Sequence, residues 1–88
     1  MTNYLEQCIQ EHFSKIQKIS PDEIDWDANL FEFYNLNSLR AVKLLSTIEV
    51  EFDIEFPNDE LKKIKTLNHV KKLSEALIQK QDLDFAYN

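Results

Sequence analysis

Asn35-Leu36-Asn37-Ser38-Leu39-Arg40-Ala41-Val42-Lys43-Leu44-Leu45 is the stretch on which the reading of this chain turns. A polar run ends at Ser38, and a helix-period pattern continues from there to about Phe52. With Leu39 set at 0° and about 100° per residue, Ala41, Leu44, Leu45, Ile48 and Phe52 fall between about 140° and 240°. That is a core stripe. Leu39, Val42, Ser46 and Val50 cluster on the opposite side, with Arg40, Thr47 and Glu51 on one flank and Glu49 on the other. A small helical domain has no second core for the Leu39/Val42/Val50 face. An apolar strip rimmed by charge is the usual form of a docking surface, although three scattered apolar residues on a surface need no special explanation. Ser38 has a plain role available as well. Either Asn37 or Ser38 suits the N-cap, accepting hydrogen bonds from the free N–H groups of the first turn.

Working outward, residues from about Asn3 to Lys18 repeat apolar side chains at helical spacing: Leu5, Cys8, Ile9, Phe13 and Ile16. Ser20-Pro21-Asp22 breaks that pattern. The connector from there to Asn37 lacks periodicity but holds Ile24, Trp26, Leu30, Phe31 and Leu36, which can pin it to the helices. Pro57-Asn58-Asp59-Glu60 predicts the start of a short third helix that includes Leu61 and Ile64. Thr66 opens a last helix with Val70, Leu73, Leu77 and Ile78 inward. Residues 1–80 read as one domain and 81–88 as a frayed tail. The chain contains no glycine. Turns that need positive φ must use other residues, and asparagine is the usual substitute. Asn29, Asn35, Asn58 and Asn68 are the candidates.

Several chemistries are disfavoured. The net charge of −6 is wrong for nucleic acid. It is uneven: residues 1–37 have seven acids against two bases, and residues 38–57 four against two, so basic partners are expected there. Lys62, Lys63, Lys65, Lys71 and Lys72 form a basic counterpart best read as a solvated face. One cysteine excludes an internal disulfide. Cys8 reads as a small core residue. Asp25-Trp26-Asp27-Ala28-Asn29 imitates the start of a calcium loop, but Leu30 stands where glycine is needed and Leu36 where glutamate is needed. Cys8 and His12 share a helical face and are too few for a structural zinc. His69 has no identifiable partner. No metal site is expected. Ser38 has no sequence-evident base, so catalysis by this chain alone is not expected. No run is long enough to span a membrane, and no basic start leads into an apolar stretch. A cytoplasmic monomer is expected.

Asp27-Ala28-Asn29-Leu30-Phe31 and Asn35-Leu36-Asn37-Ser38-Leu39 resemble the modification-site region of acyl and peptidyl carrier proteins. Val42, Leu45, Ile48-Glu49-Val50-Glu51-Phe52-Asp53-Ile54-Glu55-Phe56-Pro57, Ile64 and Thr66-Leu67 extend the likeness, which runs from about Leu5 to Ile78. The resemblance implies an all-α four-helix bundle with a long first loop, a turn of helix near Leu30 to Phe33, and a short third helix. It implies that Ser38 receives phosphopantetheine from coenzyme A, and the N-cap reading of Ser38 stays beside that role. The thiol of that arm would carry acyl, polyketide or aminoacyl groups as thioesters. Asn37, Leu39, Arg40, Val42, Lys43, Ser46, Glu49 and Val50 would form the docking surface. The implied partners are a phosphopantetheinyl transferase, an acyl- or aminoacyl-loading enzyme, and ketosynthase or condensation-type enzymes. A glycine commonly stands in the family where Asn35 stands, and an aspartate in many acyl carriers where Asn37 stands. Arg40 and Lys43 replace the acids usual in fatty-acid carriers, which favours polyketide or nonribosomal peptide assembly. A fatty-acid carrier and an unmodified interaction module are the alternatives.

Overall fold

The computed structural model describes residues 4–87, with side-chain surroundings as far as Gln81. The order is α1 (Tyr4–Gln17), a 3-10 turn at Pro21–Glu23, α2 (Ser38–Phe52), α3 (Asn58–Leu61) and α4 (Leu67–Tyr87). There is no strand among the described residues. The expected all-helical architecture, with its long first loop and short third helix, is therefore present. No described helix is long and apolar enough to cross a membrane.

The core is assembled from α1, α2, α4 and the connections between them. Leu5, Ile9 and Phe13 enter from α1, and Leu44 and Ile48 from α2. Leu67 and Val70 enter from α4, with Leu30, Leu36, Phe56 and Ile64 from the connections. Cys8 is buried as expected. Burial pushes its thiol pKa up, with the charges of Glu51 and Glu11 acting in the same direction. Ser74 is also fully buried, and its hydroxyl donates to Val70 O at 2.7 Å. A serine would not be chosen for the core stripe of α4 from pattern alone, but that back-bond satisfies it.

The first loop is pinned largely as its apolar residues suggest. Leu30 and Leu36 are buried, and Ile24 and Trp26 pack half-buried against the core. Phe31 differs: it stays at the surface, 39% exposed. Tyr34 takes up the anchoring, its ring edge-on to Phe13 with centroids 5.0 Å apart. Backbone bonds from Leu30 N to Lys65 O (2.8 Å) and from Asn68 N to Trp26 O (3.0 Å) tie the loop to the start of α4. The expected helical turn near Leu30 is a single hydrogen-bonded turn. Asn29 caps it, its Oδ1 accepting from Phe31 N at 2.8 Å and Glu32 N at 2.9 Å. Asp25 Oδ1 accepts from Asp27 N at 3.0 Å, and Asp27 accepts from the Asn68 amide, so these carboxylates order the loop.

The helix ends depart from expectation in two features. Ile64 lies beyond α3, buried at 3%, because the helix is a single turn that closes with Lys63 N on Glu60 O. The backbone of α4 is helical to Tyr87. No proline or glycine follows Gln81 to stop it, and Gln81 Nε2 donates to Asp53 O at 2.8 Å. Positive φ falls on Lys18 (56°), Asn35 (55°) and Asp53 (54°), so Asn35 alone of the four candidate asparagines adopts it. Lys18 and Asp53 occupy the left-handed position after α1 and α2. The next N–H reaches back in each case, Ile19 to Ser14 O at 3.1 Å and Ile54 to Glu49 O at 3.0 Å. This is the closure that glycine normally serves. Lys18→Gly should therefore raise stability by about 0.5–1 kcal/mol, the relief of left-handed strain exceeding the added freedom of the unfolded chain. Urea denaturation checks this, and a lower midpoint for the variant would contradict it.

Candidate functional site

Three local features fix the backbone ahead of Ser38. Asn35 turns the chain with φ 55°. Leu36 is buried, and its N–H donates to Leu30 O at 3.0 Å, closing the loop on itself. Asn37 then adopts an extended conformation, and its Oδ1 accepts from Arg40 N at 2.8 Å while its carbonyl accepts from Ala41 N at 3.0 Å. Asn37 is thus the N-cap, which corrects the expectation that Ser38 also serves at that position. The cap residue must be extended for its side chain to reach the third N–H of the helix. Ser38 is already helical, the first residue of α2. Its side chain is exposed, and its hydroxyl has no partner among the described residues.

The two faces of α2 separate as the pattern predicts. Leu44 and Ile48 are buried, with Ala41, Leu45 and Phe52 packed half-buried beside them. Leu39 (78%), Val42 (60%) and Val50 (83%) stand in solvent. Ser46, Arg40 and Lys43 are exposed too. Arg40 Nη1 makes one long contact, 3.5 Å to Gln17 Oε1. Glu49 behaves differently from its expected place on the exposed surface. It is half-buried and its Oε2 accepts from Phe56 N at 2.7 Å, so this carboxylate holds the bend after α2. No acid lies in the first turn of α2, which makes Arg40 and Lys43 the charges nearest Ser38 along the helix.

A small apolar cavity of ≈ 40 Å³ lies beside this site. Loop residues Leu30, Phe31 and Leu36 line one side, and Ala41, Leu44 and Leu45 of α2 another. Leu61, Ile64 and Val70 complete it. Ala41 and Leu45 follow Ser38 by three and seven residues, so all three share one helical face. Ala41 and Leu45 thus bring two cavity-lining residues onto the helical face that carries Ser38. The pattern of α2 assigns Ala41 to the core stripe without revealing this space. The available signal was a single small residue among leucines, one turn beyond Ser38.

The site has little chemistry of its own. No hydrogen bond joins Ser38 to a histidine or a carboxylate among the described residues. His69 is half-buried at the start of α4, where its backbone N–H donates to Thr66 Oγ1 at 3.1 Å. The far end of α2 is tied to α1 through Tyr4, whose hydroxyl donates to Glu51 and whose pKa is raised chiefly by that bond. The arrangement presents a free hydroxyl, an anion-favouring helix N-terminus and an adjacent apolar recess.

Comparison with known proteins agrees with that description. Residues 7–74 match the protein family described as a phosphopantetheine attachment site. Acyl carrier protein of Rickettsia massiliae (strain Mtu5) is 37% identical over 73 residues, covering 81% of this chain and 83% of the relative. Acyl carrier protein of Rickettsia prowazekii (strain Madrid E) matches to the same extent. Acyl carrier protein of Sulfurovum sp. (strain NBC37-1) is 37% identical over 57 residues, 65% of this chain and 76% of the relative. Ser38 fits a phosphodiester-linked group, because its hydroxyl is exposed and uncommitted while Asn37 keeps the cap.

Proposed function

Because this chain belongs to the acyl carrier protein family, whose phosphopantetheine is covalently attached, we propose that Ser38 bears the arm and that the cargo is an acyl chain. The protein is a carrier and not an enzyme, working with a phosphopantetheinyl transferase and acylating enzymes. The arm's thiol supplies the thioester chemistry. The protein contributes a rigid attachment point and an address. The observation that carries the reading is the uncommitted Ser38 hydroxyl at the start of α2, with an apolar cavity opening on its own helical face. That hydroxyl weighs against an unmodified interaction module. The wholly aliphatic and aromatic lining weighs against an aminoacyl cargo, whose ammonium would lose hydration there. Cleavage after Lys18 and Arg40 releases a peptide holding both Ser20 and Ser38. After reaction with coenzyme A and a transferase, its fragment ions should put the added mass on Ser38, and mass on Ser20 would refute the assignment.

We further propose that the acyl chain belongs to a specialised, polyketide-type pathway. Leu39, Val42 and Val50 serve as apolar anchors, and Arg40 and Lys43 choose the partner. Both cations are exposed, so an acylating enzyme that presents arginine or lysine to this surface is repelled, whereas one that presents acids is steered in. A fatty-acid carrier is the second reading, favoured by the apolar cavity. Arg40→Asp with Lys43→Glu separates them. Loading by a fatty-acid acyl-loading enzyme should rise about tenfold at low salt and less at high salt, since electrostatic steering acts on the on-rate and is screened. The variant should fold normally, because both positions are exposed and an acid at Arg40, in the first turn, suits the helix dipole. Efficient loading of the wild type, with no gain in the variant, would return the protein to primary fatty-acid metabolism.

A further inference from the structure

The cavity is too small for the cargo it faces. An apolar cavity of about 150 Å³ admits a six-carbon ring. At ≈ 40 Å³ this one has room for about two carbon atoms, and a longer chain must displace a wall. Most of the wall does not yield readily. Leu30, Leu36, Leu44, Ile64 and Val70 are all buried at 5% exposure or less and form part of the common core. Phe31 is the most exposed of the lining residues, at 39%, so it is the part of the wall that can turn outward with the least loss of burial.

The surroundings of Phe31 suit a side-chain hinge. Its backbone is held on both sides, by Leu30 N donating to Lys65 O (2.8 Å) and by Glu32 N donating to Asn29 Oδ1 (2.9 Å), with Phe31 N donating to the same Oδ1 at 2.8 Å. The ring itself is held by a weaker restraint, the Lys65 ammonium 5.8 Å from its centroid. That contact joins the first loop to the segment between α3 and α4 beside the cavity. We propose that Phe31, braced by Lys65, is the specificity-determining residue that sets the length of acyl chain the cavity admits. The proposal rests on the reading of the cavity as the acyl-chain site. With the ring in place only the end of a short chain enters, and a longer chain enters by turning the ring into solvent.

The test compares wild type, Phe31→Ala and Lys65→Met, each unacylated and carrying butanoyl or octanoyl on the arm. Thermal midpoint and the methyl NMR signals of Ile64 and Val70 are read. Butanoyl should move those signals alike in all three proteins. Octanoyl should raise the midpoint of Phe31→Ala by about 4–8 °C more than that of wild type, with Lys65→Met between them, and should shift the Phe31 ring signals in wild type. Equal midpoint gains from octanoyl in wild type and Phe31→Ala, with the methyl signals moving in both, would overturn the role of Phe31 and leave the cavity reading standing. If neither chain moves the Ile64 or Val70 methyl signals in any protein, the cavity reading fails and the role of Phe31 with it.

Discussion

Leu44→Ala and Ile48→Ala should each lower folding stability by roughly 2–5 kcal/mol, whereas Val42→Asp should leave the domain nearly as stable as wild type. The three positions belong to one helix, so propensity does not separate them. Burial does. Leu44 and Ile48 are 1% and 0% exposed and sit in the core cluster, while Val42 is 60% exposed. Removing a buried side chain loses its transfer free energy and leaves a cavity that the neighbours fill only partly. Leu44 already borders the ≈ 40 Å³ space, so truncation there enlarges an existing void. Small domains are stable by about 5–15 kcal/mol in total, which makes either alanine a large fraction of the whole. Val42→Asp should instead impair modification or transfer to a partner enzyme, since it places a charge in the apolar strip. Urea denaturation of the three variants makes the comparison. If Val42→Asp unfolds as readily as Leu44→Ala, the rotation assigned to α2 is wrong.

The ease with which α2 was read has a local cause. Its start is written in Asn37, a strong cap, and its span in a core stripe that recurs through Phe52, so the expected and observed limits coincide at Ser38–Phe52. The α1 stripe was legible for the same reason. The end of α3 was not. Ile64 keeps helical spacing from Leu61 but is buried from a non-helical segment, because burial needs a position and not a particular backbone. The left-handed residues after α1 and α2 are set by where each helix closes, so Lys18 and Asp53 had no compositional mark, whereas Asn35 did.

The site divides in the same way. Ser38, Leu39, Val42 and Val50 were legible because exposure follows from helical phase. The division of labour between Asn37 and Ser38 was not, since both residue types cap well and only backbone conformation distinguishes the cap from the first helical residue. Glu49 reads as a surface charge from its flank position, but the bend after α2 leaves Phe56 N without a helical partner, and Glu49 supplies it. The cavity could not be read at all. Its walls come from positions as far apart as Leu30 and Val70, and a void among five segments has no sequence pattern.

Every functional statement above depends on one hydroxyl. Ser38→Ala should abolish attachment altogether without a stability penalty large enough to unfold the protein, because the side chain is exposed and Asn37 retains the cap. Loss should be complete and not partial. Ser46 is exposed on the same helix but lies beyond its first turn, away from the anion-favouring terminus. Ser74 is buried and bonded to Val70 O. The decisive measurement is the intact mass of wild type and Ser38→Ala after incubation with coenzyme A and a broad-specificity phosphopantetheinyl transferase, with circular dichroism confirming that both are folded. The account predicts that wild type gains the mass of a single phosphopantetheine and the variant gains none. Modification of Ser38→Ala, or an unchanged wild-type mass with several transferases, would contradict it.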